Sequence, residues 1–186
     1  MSRIALAKAV LHGRILDVGH SVGPLHTEIA DGRDVTAIDI VIKRPGKNVV
    51  KADATRMPFR AQTFDSLLAG EIIEHLDEPG RFVAEGRRVL KDGGTLLLTT
   101  PNRRSLLNRL TKAYEKPAHL TLFTRQELVS LLEQHGFRVE RLTLLPYTAE
   151  SSEGSGHPWF FPIRKAMHPF LPAPLQEQFV VIARAV

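Results

Sequence analysis

The chain has 186 residues, of which 43% are hydrophobic and 24% charged, so one globular domain with a substantial core is expected and disorder is not. It contains no cysteine, which excludes disulfides and thiolate chemistry and is typical of a cytoplasmic protein, and no apolar run approaches the roughly 18 residues that span a bilayer. The net charge of +5 permits an anionic partner such as nucleic acid, a phosphate group or an anionic membrane.

Residues 1–13, MSRIALAKAVLHG, predict an amphipathic helix and not a signal peptide, because basic residues interrupt the apolar ones and no cleavage site follows. Apolar, β-branched runs then alternate with helical patterns. These runs predict strands at Ile15–Val18, Val35–Ile40, Asn48–Ala52, Phe64–Ala69, Thr95–Thr100, Arg138–Leu144 and Gln178–Arg184. Because they are apolar almost throughout, they suit strands covered on both faces, in a mainly parallel α/β sheet. We predict that residues 1–186 form a single domain.

Two later helices have readable ends. Pro79 is predicted to open a helix that ends at the Asp-Gly-Gly of residues 92–94. Thr124, with Glu127 three residues on, forms a capping-box pattern for a helix that Gly136 ends.

Two stretches interrupt the regular alternation. Between Asp39 and Asn48 only IVIKRPGK remains, which is shorter than the ~10 residues of a normal parallel crossover, so the usual helix is expected to be a turn or absent. Residues 146–175 are rich in proline and aromatic side chains, and we interpret them as a lid or substrate-side insertion. The basic segment Asn102–Pro117 is the other lid candidate.

The first predicted strand ends in a turn that suits an anionic ligand group. Asp17, Gly19 and Gly23 fall in this turn, and a helix that opens at Pro24 would present free N–H groups at its positive end. The spacing Gly19-x-x-x-Gly23 departs from the G-x-G-x-x-G of nicotinamide-cofactor enzymes. The turn alone therefore leaves an ordinary strand-to-helix connection open.

The next two strands end in residues that complement a nucleoside. Asp39 comes 20 residues after Gly19, where a carboxylate can accept hydrogen bonds from both ribose hydroxyls. The third strand is predicted to end at Asp53 and Ala54, where one side chain and one backbone N–H can pair with an adenine edge. Ligands of doubly wound sheets bind at this edge, so an adenosine with an anionic tail is predicted there.

Five segments together resemble class I S-adenosylmethionine-dependent methyltransferases, and most resemble the small type 11 group, similar to enzymes of ubiquinone and menaquinone biosynthesis. These segments are ILDVGHSVGPL, VTAIDI, VVKADATRMPFRAQTFDSLLAGEIIEHLDEP, RRVLKDGGTLLLTTPNR and HLTLFTRQELVSLLEQHGFRVERL. The resemblance runs from about Ile15 to Leu142, and Gln178–Arg184 completes the expected seven strands. It implies a Rossmann-like methyltransferase fold, which is doubly wound and mainly parallel with an antiparallel last strand.

The resemblance implies S-adenosylmethionine as cofactor and S-adenosylhomocysteine as product. It assigns the methionine end to Asp17, Gly19 and Gly23, the ribose to Asp39, the adenine to Ile40, Asp53 and Ala54, and the region near the sulfonium and the acceptor to Glu71. Family members usually have D-V-G-x-G-x-G, whereas this chain has His20 in place of a small residue and Ser21 in place of glycine. We expect the turn to be loosened and not abolished, since a serine hydroxyl can bond the ligand carboxylate.

Methyl transfer from a sulfonium is an in-line displacement that needs mainly alignment of the reactants, sometimes with a base. The candidate bases are His75, just beyond the fourth strand, and His119, with His157 a weaker candidate; a capping or packing role for His75 is equally open. Glu71, Glu74 and His75 could offer ligands to a divalent metal. Their close spacing gives no convincing geometry, so no metal is predicted.

The acceptor is predicted to be a small molecule that is apolar and carries an acidic group, because an aromatic segment lies beside a basic one. Packing of the aromatic residues on the sheet is an equal alternative; they are Trp159, Phe160, Phe161 and Phe170. Nucleic acid is less favoured, since TTPNR lacks the N-P-P-aromatic turn that clamps a flipped base. We therefore predict methyl transfer at oxygen; the alternative is a non-catalytic binding or regulatory protein with a degraded glycine turn.

Overall fold

The computed structural model describes residues 3–19, 24–42, 45–46, 48–106, 109, 120–145, 166, 170, 172, 176 and 178–186. Seven strands form one sheet: β1 (Ile15–Val18), β2 (Val35–Asp39), β3 (Val49–Lys51), β4 (Phe64–Gly70), β5 (Leu90–Pro101), β6 (Phe137–Leu145) and β7 (Gln178–Ala185). Their order across the sheet is β3-β2-β1-β4-β5-β7-β6. Strands β1 to β5 pair in parallel, whereas β7 runs antiparallel to both β5 and β6. The predicted fold class is therefore confirmed.

Helices cover both faces of the sheet. They are α1 (Arg3–Val10), α2 (Pro24–Ala30), α3 (Pro79–Val89) and α4 (Arg125–Gln134), and a short 3-10 helix spans Ile73–His75. Leu6 of α1 and Ile29 of α2 pack on one face, and Phe82 of α3 and Leu128 of α4 belong to the core on the other. The neighbouring central strands β1 and β4 run parallel, so their carboxyl ends lie at the same edge of the sheet. In the described ranges, no helix has both the length and the apolar character needed to cross a membrane.

The predicted end of the third helix is wrong. Helix α3 ends at Val89, and β5 begins directly at Leu90, which is fully buried and pairs with Phe64. The glycine pair at 93–94 lies inside this long strand, where the register with β4 shifts between Phe64 and Ser66. Gly93 has φ +74°, so it permits an irregularity in the strand instead of ending a helix.

The structure confirms the capping box of α4. The Oγ1 of Thr124 accepts a hydrogen bond from the N–H of Glu127 at 3.4 Å, and the Oε2 of Glu127 accepts one from the N–H of Thr124 at 2.8 Å. Gly136 has φ +81° just beyond the helix. The described residues between β2 and β3 form no helix, as the short IVIKRPGK stretch predicts. Of the predicted lid, 146–175, only residues 166, 170 and 172 are described, so the lid stays a prediction.

Candidate functional site

A cleft of about 330 Å³ opens at the carboxyl ends of β1, β2 and β3. It is built by the register of the sheet, since Val18 of β1 pairs with Ile38 of β2 and Asp39 of β2 pairs with Lys51 of β3. The strand ends contribute Gly19, Asp39, Ile40, Asp53 and Ala54 to its lining. The structure therefore brings together the four residues that the sequence analysis assigns to ribose and adenine with Gly19, which it assigns to the methionine end.

Asp39 presents a carboxylate to the middle of the cleft. Its Oδ1 accepts a hydrogen bond from the N–H of Val41 at 2.9 Å, which fixes the side chain at the end of β2. No described residue donates a hydrogen bond to its other oxygen. Beside it, the side chain of Ile40 is 64% exposed, so an apolar group borders the cleft without being covered by the protein. A carboxylate next to an open apolar surface complements a ribose joined to a flat base.

Asp53 holds a negative charge at one end of the cleft. Its Oδ1 accepts hydrogen bonds from the N–H of Thr55 at 2.7 Å and from the Thr55 hydroxyl at 2.8 Å. These two bonds lower the pKa of the Asp53 carboxyl, and the backbone bond has the larger effect. The strand ends at Lys51, one residue before the predicted last residue Ala52, and Asp53 pairs with Arg56 in the turn that follows. Asp53 is thus a fixed anionic acceptor beside the nearly buried Ala54.

Gly19 lies against Ile72, which belongs to the opposite wall of the cleft. It has φ +79°, and its N–H donates to the carbonyl oxygen of Ile38 at 3.0 Å. A Cβ built on Gly19 would lie 3.1 Å from the Cδ1 atom of Ile72, so a side chain would crowd the cleft wall. Residues 20–23 lie outside the described residues, and the assignments of Ser21 and Gly23 stay predictions.

The opposite wall of the cleft comes from the segment after β4, and His75 is the one lining residue of this segment that the sequence pattern singled out. Its lining residues are Ile72, His75, Leu76, Asp77 and Glu78. The sequence stretch EIIEHLDEP could have predicted these lining residues, because residues that directly follow a central parallel strand lie at the same edge of the sheet as Gly19. Ile72 and Leu76 face the strand ends with apolar side chains, so the cleft has an apolar wall on one side and carboxylates on the other.

Asp17 lies beneath the cleft and does not line it. Its buried carboxylate is paired with His26 of α2, with 2.6 Å between Oδ2 and Nδ1. The pair ties the end of β1 to the helix that follows the glycine turn. Any contribution of Asp17 to ligand binding is therefore through the placement of this helix, and its assignment to the methionine end stays a prediction.

Glu71 also lies outside the cleft lining, at the end of β4. It adopts φ +55°, and its N–H donates to the carbonyl oxygen of Thr99 at 3.0 Å. Its carboxylate lies 3.6 Å from the Nη1 atom of Arg3 in α1 and accepts a hydrogen bond from the Nε2 of Gln178 in β7. The N-terminal helix and the last strand therefore meet at this carboxylate, on the side of the edge where β4 and β5 end.

Residues 2–142 match the family model described as a methyltransferase domain. The chain belongs to this methyltransferase family. It is 36% identical over 111 residues to a probable S-adenosylmethionine-dependent methyltransferase of Mycobacterium tuberculosis, a match that covers 59% of this chain and 40% of the relative. It is 29% identical over 171 residues to a ubiquinone biosynthesis O-methyltransferase of Xanthomonas oryzae, covering 75% of this chain and 70% of that protein. The chain thus spans about 40% of the length of its mycobacterial relatives.

The fold is shared with solved methyltransferases. The crystal structure of a SAM-dependent methyltransferase from Archaeoglobus fulgidus superposes with a TM-score of 0.75 at 23% identity, covering 98% of this chain and 91% of that one. The mycobacterial relatives are named as S-adenosylmethionine-dependent methyltransferases. The cleft fits the adenosine part of that cofactor, because two carboxylates, an open apolar side chain and a glycine cradle occupy its walls.

Glu74 is a buried acid of the methyltransferase that the sequence analysis considered only as a metal ligand. It is fully buried, and burial together with the nearby charge of Glu71 raises its pKa to about 8, although Arg3 opposes the shift. The hydroxyl of Thr100 donates to its Oε2 at 3.1 Å, whereas its Oε1 has no hydrogen-bond partner among the described residues. At pH 7 this side chain is therefore mainly a neutral acid.

His75 lies in the wall of the cleft, next to Leu76. Its N–H donates to the carbonyl oxygen of Ile72 at 3.0 Å, so the imidazole is carried by a hydrogen-bonded 3-10 turn. Among the residues that the structure describes, no three acidic or histidine side chains are grouped so that they could hold a metal ion, Glu71, Glu74 and His75 included. His119 and His157 lie outside the described residues, so His119 stays a prediction.

Proposed function

We propose that this methyltransferase transfers the methyl group of S-adenosylmethionine to an oxygen atom of a small-molecule acceptor. The observation that carries the proposal is the single cleft that gathers Gly19, Asp39 and Asp53 from three adjacent strand ends in a chain of this family. The name of the Xanthomonas oryzae relative, an O-methyltransferase of ubiquinone biosynthesis, supports oxygen as the accepting atom.

We assign each cleft residue to one part of the cofactor. Asp39 would accept hydrogen bonds from the ribose hydroxyls, and Ile40 and Leu76 would cover the two faces of the adenine. Asp53 would accept a hydrogen bond from the adenine amino group, and the N–H of Ala54 would donate to a ring nitrogen. The methionine end is assigned to the turn of Gly19, Ser21 and Gly23, with Asp17 supporting that turn through its pair with His26.

The bound cofactor supplies an already activated methyl group on a sulfonium, so the protein has to align the acceptor and remove its proton. We assign proton removal to His75, because it lines the cleft from the 3-10 helix that follows β4. Glu74 is a poor base at neutral pH, since its raised pKa keeps it protonated. Glu71, held by Arg3 and Gln178, would shape the region between the sulfonium and the acceptor.

The rival proposal is a non-catalytic protein whose glycine turn no longer holds the cofactor. It depends on His20 and Ser21, and the Ser21→Gly variant distinguishes the two proposals. A gain of about 100-fold in affinity for S-adenosylhomocysteine would mean that the natural turn is disabled. An affinity within a few-fold of the natural protein supports a working methyltransferase.

The accepting atom is tested with two acceptors that differ only in that atom. Purified protein is incubated with isotopically labelled S-adenosylmethionine and with 4-hydroxybenzoate or 4-aminobenzoate, which share an aromatic ring and a carboxylate. We expect label on the hydroxyl compound at least tenfold faster than on the amine, with His75→Gln reducing the rate ~100-fold. Faster labelling of the amine, or no labelling of any phenol in a wider series, would contradict transfer to oxygen.

A further inference from the structure

A second cavity, of about 400 Å³, lies farther along the same edge of the sheet. It lies where β5 ends and β7 begins, beside the end of β6 and the first turns of α4. Its walls include Asn102, Arg104, Arg125, Val129, Leu144 and Phe179, none of which lines the cofactor cleft. We call it the basic cavity. Its volume lies within the range of ~300–1,000 Å³ that is usual for small-molecule sites.

Two arginines give the basic cavity a positive charge, and no described acidic side chain pairs with either of them. Arg104 and Arg125 are both exposed, and within the described ranges neither guanidinium forms an ion pair. The neighbouring Arg103 differs, because its Nη2 lies 2.8 Å from the Oε1 of Glu127. That ion pair also occupies the nearest described acidic side chain of α4. An anion that enters the basic cavity would therefore meet two cations that have no competing partner among the described residues.

The floor of the basic cavity is apolar. The side chain of Phe179 is 2% exposed, and Val129 and Leu144 are partly buried beside it. Inorganic phosphate would gain no binding energy from such a surface, since apolar contacts contribute only when apolar surface of the ligand is buried. Arginines at the rim and a hydrophobic floor together complement a molecule with an anionic group on an apolar body.

The walls of the basic cavity are held in place by hydrogen bonds. The Oδ1 of the buried Asn102 accepts from the N–H of Arg104 at 3.0 Å, and the Nδ2 of Asn102 donates to the carbonyl oxygen of Gln176 at 2.7 Å. The N–H of Arg103 donates to the carbonyl oxygen of Phe123 at 3.0 Å, which joins this loop to the segment before α4. The cavity is thus formed before a ligand arrives, which lowers the entropic cost of binding.

The basic cavity is linked to the cofactor cleft through β5. Thr100, at the end of β5, holds Glu74, and the adjacent His75 forms part of the cleft wall. Two residues later, Asn102 enters the basic cavity. A molecule whose reacting oxygen lies near His75 would therefore extend along the edge of the sheet toward Arg104 and Arg125.

We propose that the basic cavity binds the anionic end of the methyl acceptor, a carboxylate or phosphate on an apolar body. This assignment rests on the proposed function, because it takes the acceptor to lie between the two cavities. It narrows the substrate class to apolar acids. Arg104 and Arg125 are then specificity-determining residues that act at a distance from the transferred methyl group.

Binding is tested by calorimetric titration of the full chain, without cofactor, with octanoate, octyl phosphate, octanol and inorganic phosphate. We expect both anionic octyl compounds to bind at least tenfold more tightly than octanol or phosphate, and the tighter of the two identifies the anionic group. The double variant Arg104→Gln/Arg125→Gln should lose at least tenfold in affinity. Arg141→Gln is the matched control, since Arg141 is an exposed arginine of β6 outside the cavity lining and, unlike Arg103, is not the partner of Glu127, and it should change affinity less than twofold.

Equal binding of octanol and octanoate, an equal loss in Arg141→Gln, or no binding of either anion at 10 mM (a concentration on the order of ten times a weak 1 mM Kd) would overturn the proposal. A kinetic measurement separates it from the proposed function. With an acidic acceptor, the double variant should raise KM about tenfold and leave kcat and S-adenosylhomocysteine affinity unchanged. Octanoate binding without any methyl transfer would overturn the proposed function and the acceptor assignment, while an unchanged KM in an active double variant would overturn the acceptor assignment alone.

Discussion

The carboxyl groups near the cofactor cleft are in different protonation states at neutral pH because their surroundings differ. Asp53 is exposed and receives two hydrogen bonds from Thr55, so its pKa is lowered and it stays ionised. Glu74, only a few residues beyond β4, is buried, and its pKa of about 8 keeps it neutral. An ionised acid can accept hydrogen bonds from an adenine, whereas a neutral acid can be buried at the floor of the site at little electrostatic cost.

The raised pKa of Glu74 makes the stability of the protein depend on pH. The folded state binds the proton more tightly than the unfolded state, whose pKa is near 4.5, so the free energy of unfolding falls as pH rises from about 5 to about 8. Glu74→Gln removes this titration and can keep the hydrogen bond from Thr100. We expect the free energy of unfolding of the variant, measured with urea, to increase relative to that of the natural protein by up to ~5 kcal/mol between pH 5 and pH 9.

The control for this prediction is a carboxylate outside the group of charges that acts on Glu74. Glu71 raises its pKa and Arg3 lowers it. Asp31→Asn changes an exposed carboxylate far from this cluster and should shift stability equally at both pH values. A constant difference between Glu74→Gln and the natural protein across this pH range would contradict the assignment of Glu74 as a buried neutral acid.

At the scale of elements, the cleft depends on how closely β1 and the segment after β4 approach each other. Gly19→Ala adds a Cβ at φ +79° and brings it 3.1 Å from Ile72, so both backbone strain and crowding result. We expect a loss of ~2–3 kcal/mol in the free energy of unfolding and at least tenfold weaker binding of S-adenosylhomocysteine. Urea unfolding and calorimetry measure the two effects.

A second glycine separates strain from crowding. Gly32 has φ +68°, but a Cβ there would have no neighbour within 4 Å. Gly32→Ala should therefore cost only the strain, ~1 kcal/mol, and should leave S-adenosylhomocysteine binding unchanged. Equal effects of the two substitutions on ligand binding would show that the approach of Gly19 to Ile72 does not shape the cleft.

At the scale of the whole molecule, the fold was predictable because it rests on local patterns. Each buried strand is an apolar run of the length and β-branched content that parallel sheets require. Asp39 is the last residue of β2, and Asp53 lies two residues beyond β3. Parallel strands deliver their ends to one edge, so the gathering of these two carboxylates follows from strand order. The end of α3 was missed because Gly93 and Gly94, usual helix terminators, here serve an irregularity within β5.

The rest of the site depends on contacts between residues far apart in the chain. The pairs of Asp17 with His26 and of Glu71 with Arg3 and Gln178 have no local signal, because they join separate elements. The basic cavity is formed by loop, helix and strand residues that only the completed sheet brings together. Sequence patterns could locate the basic segment around Arg104, but not the apolar floor beneath it.

Calorimetric titration with S-adenosylhomocysteine tests the central claim, that adjacent strand ends bind the adenosine of the cofactor. The account predicts binding to the natural protein and a loss of about 100-fold in Asp39→Ala, because two hydrogen bonds from ribose hydroxyls to a carboxylate contribute ~3 kcal/mol. Asp31→Ala, which removes an exposed carboxylate outside the cleft, should bind as the natural protein does. Equal affinities of the Asp39→Ala variant and the natural protein would contradict the claim that the strand ends bind the adenosine.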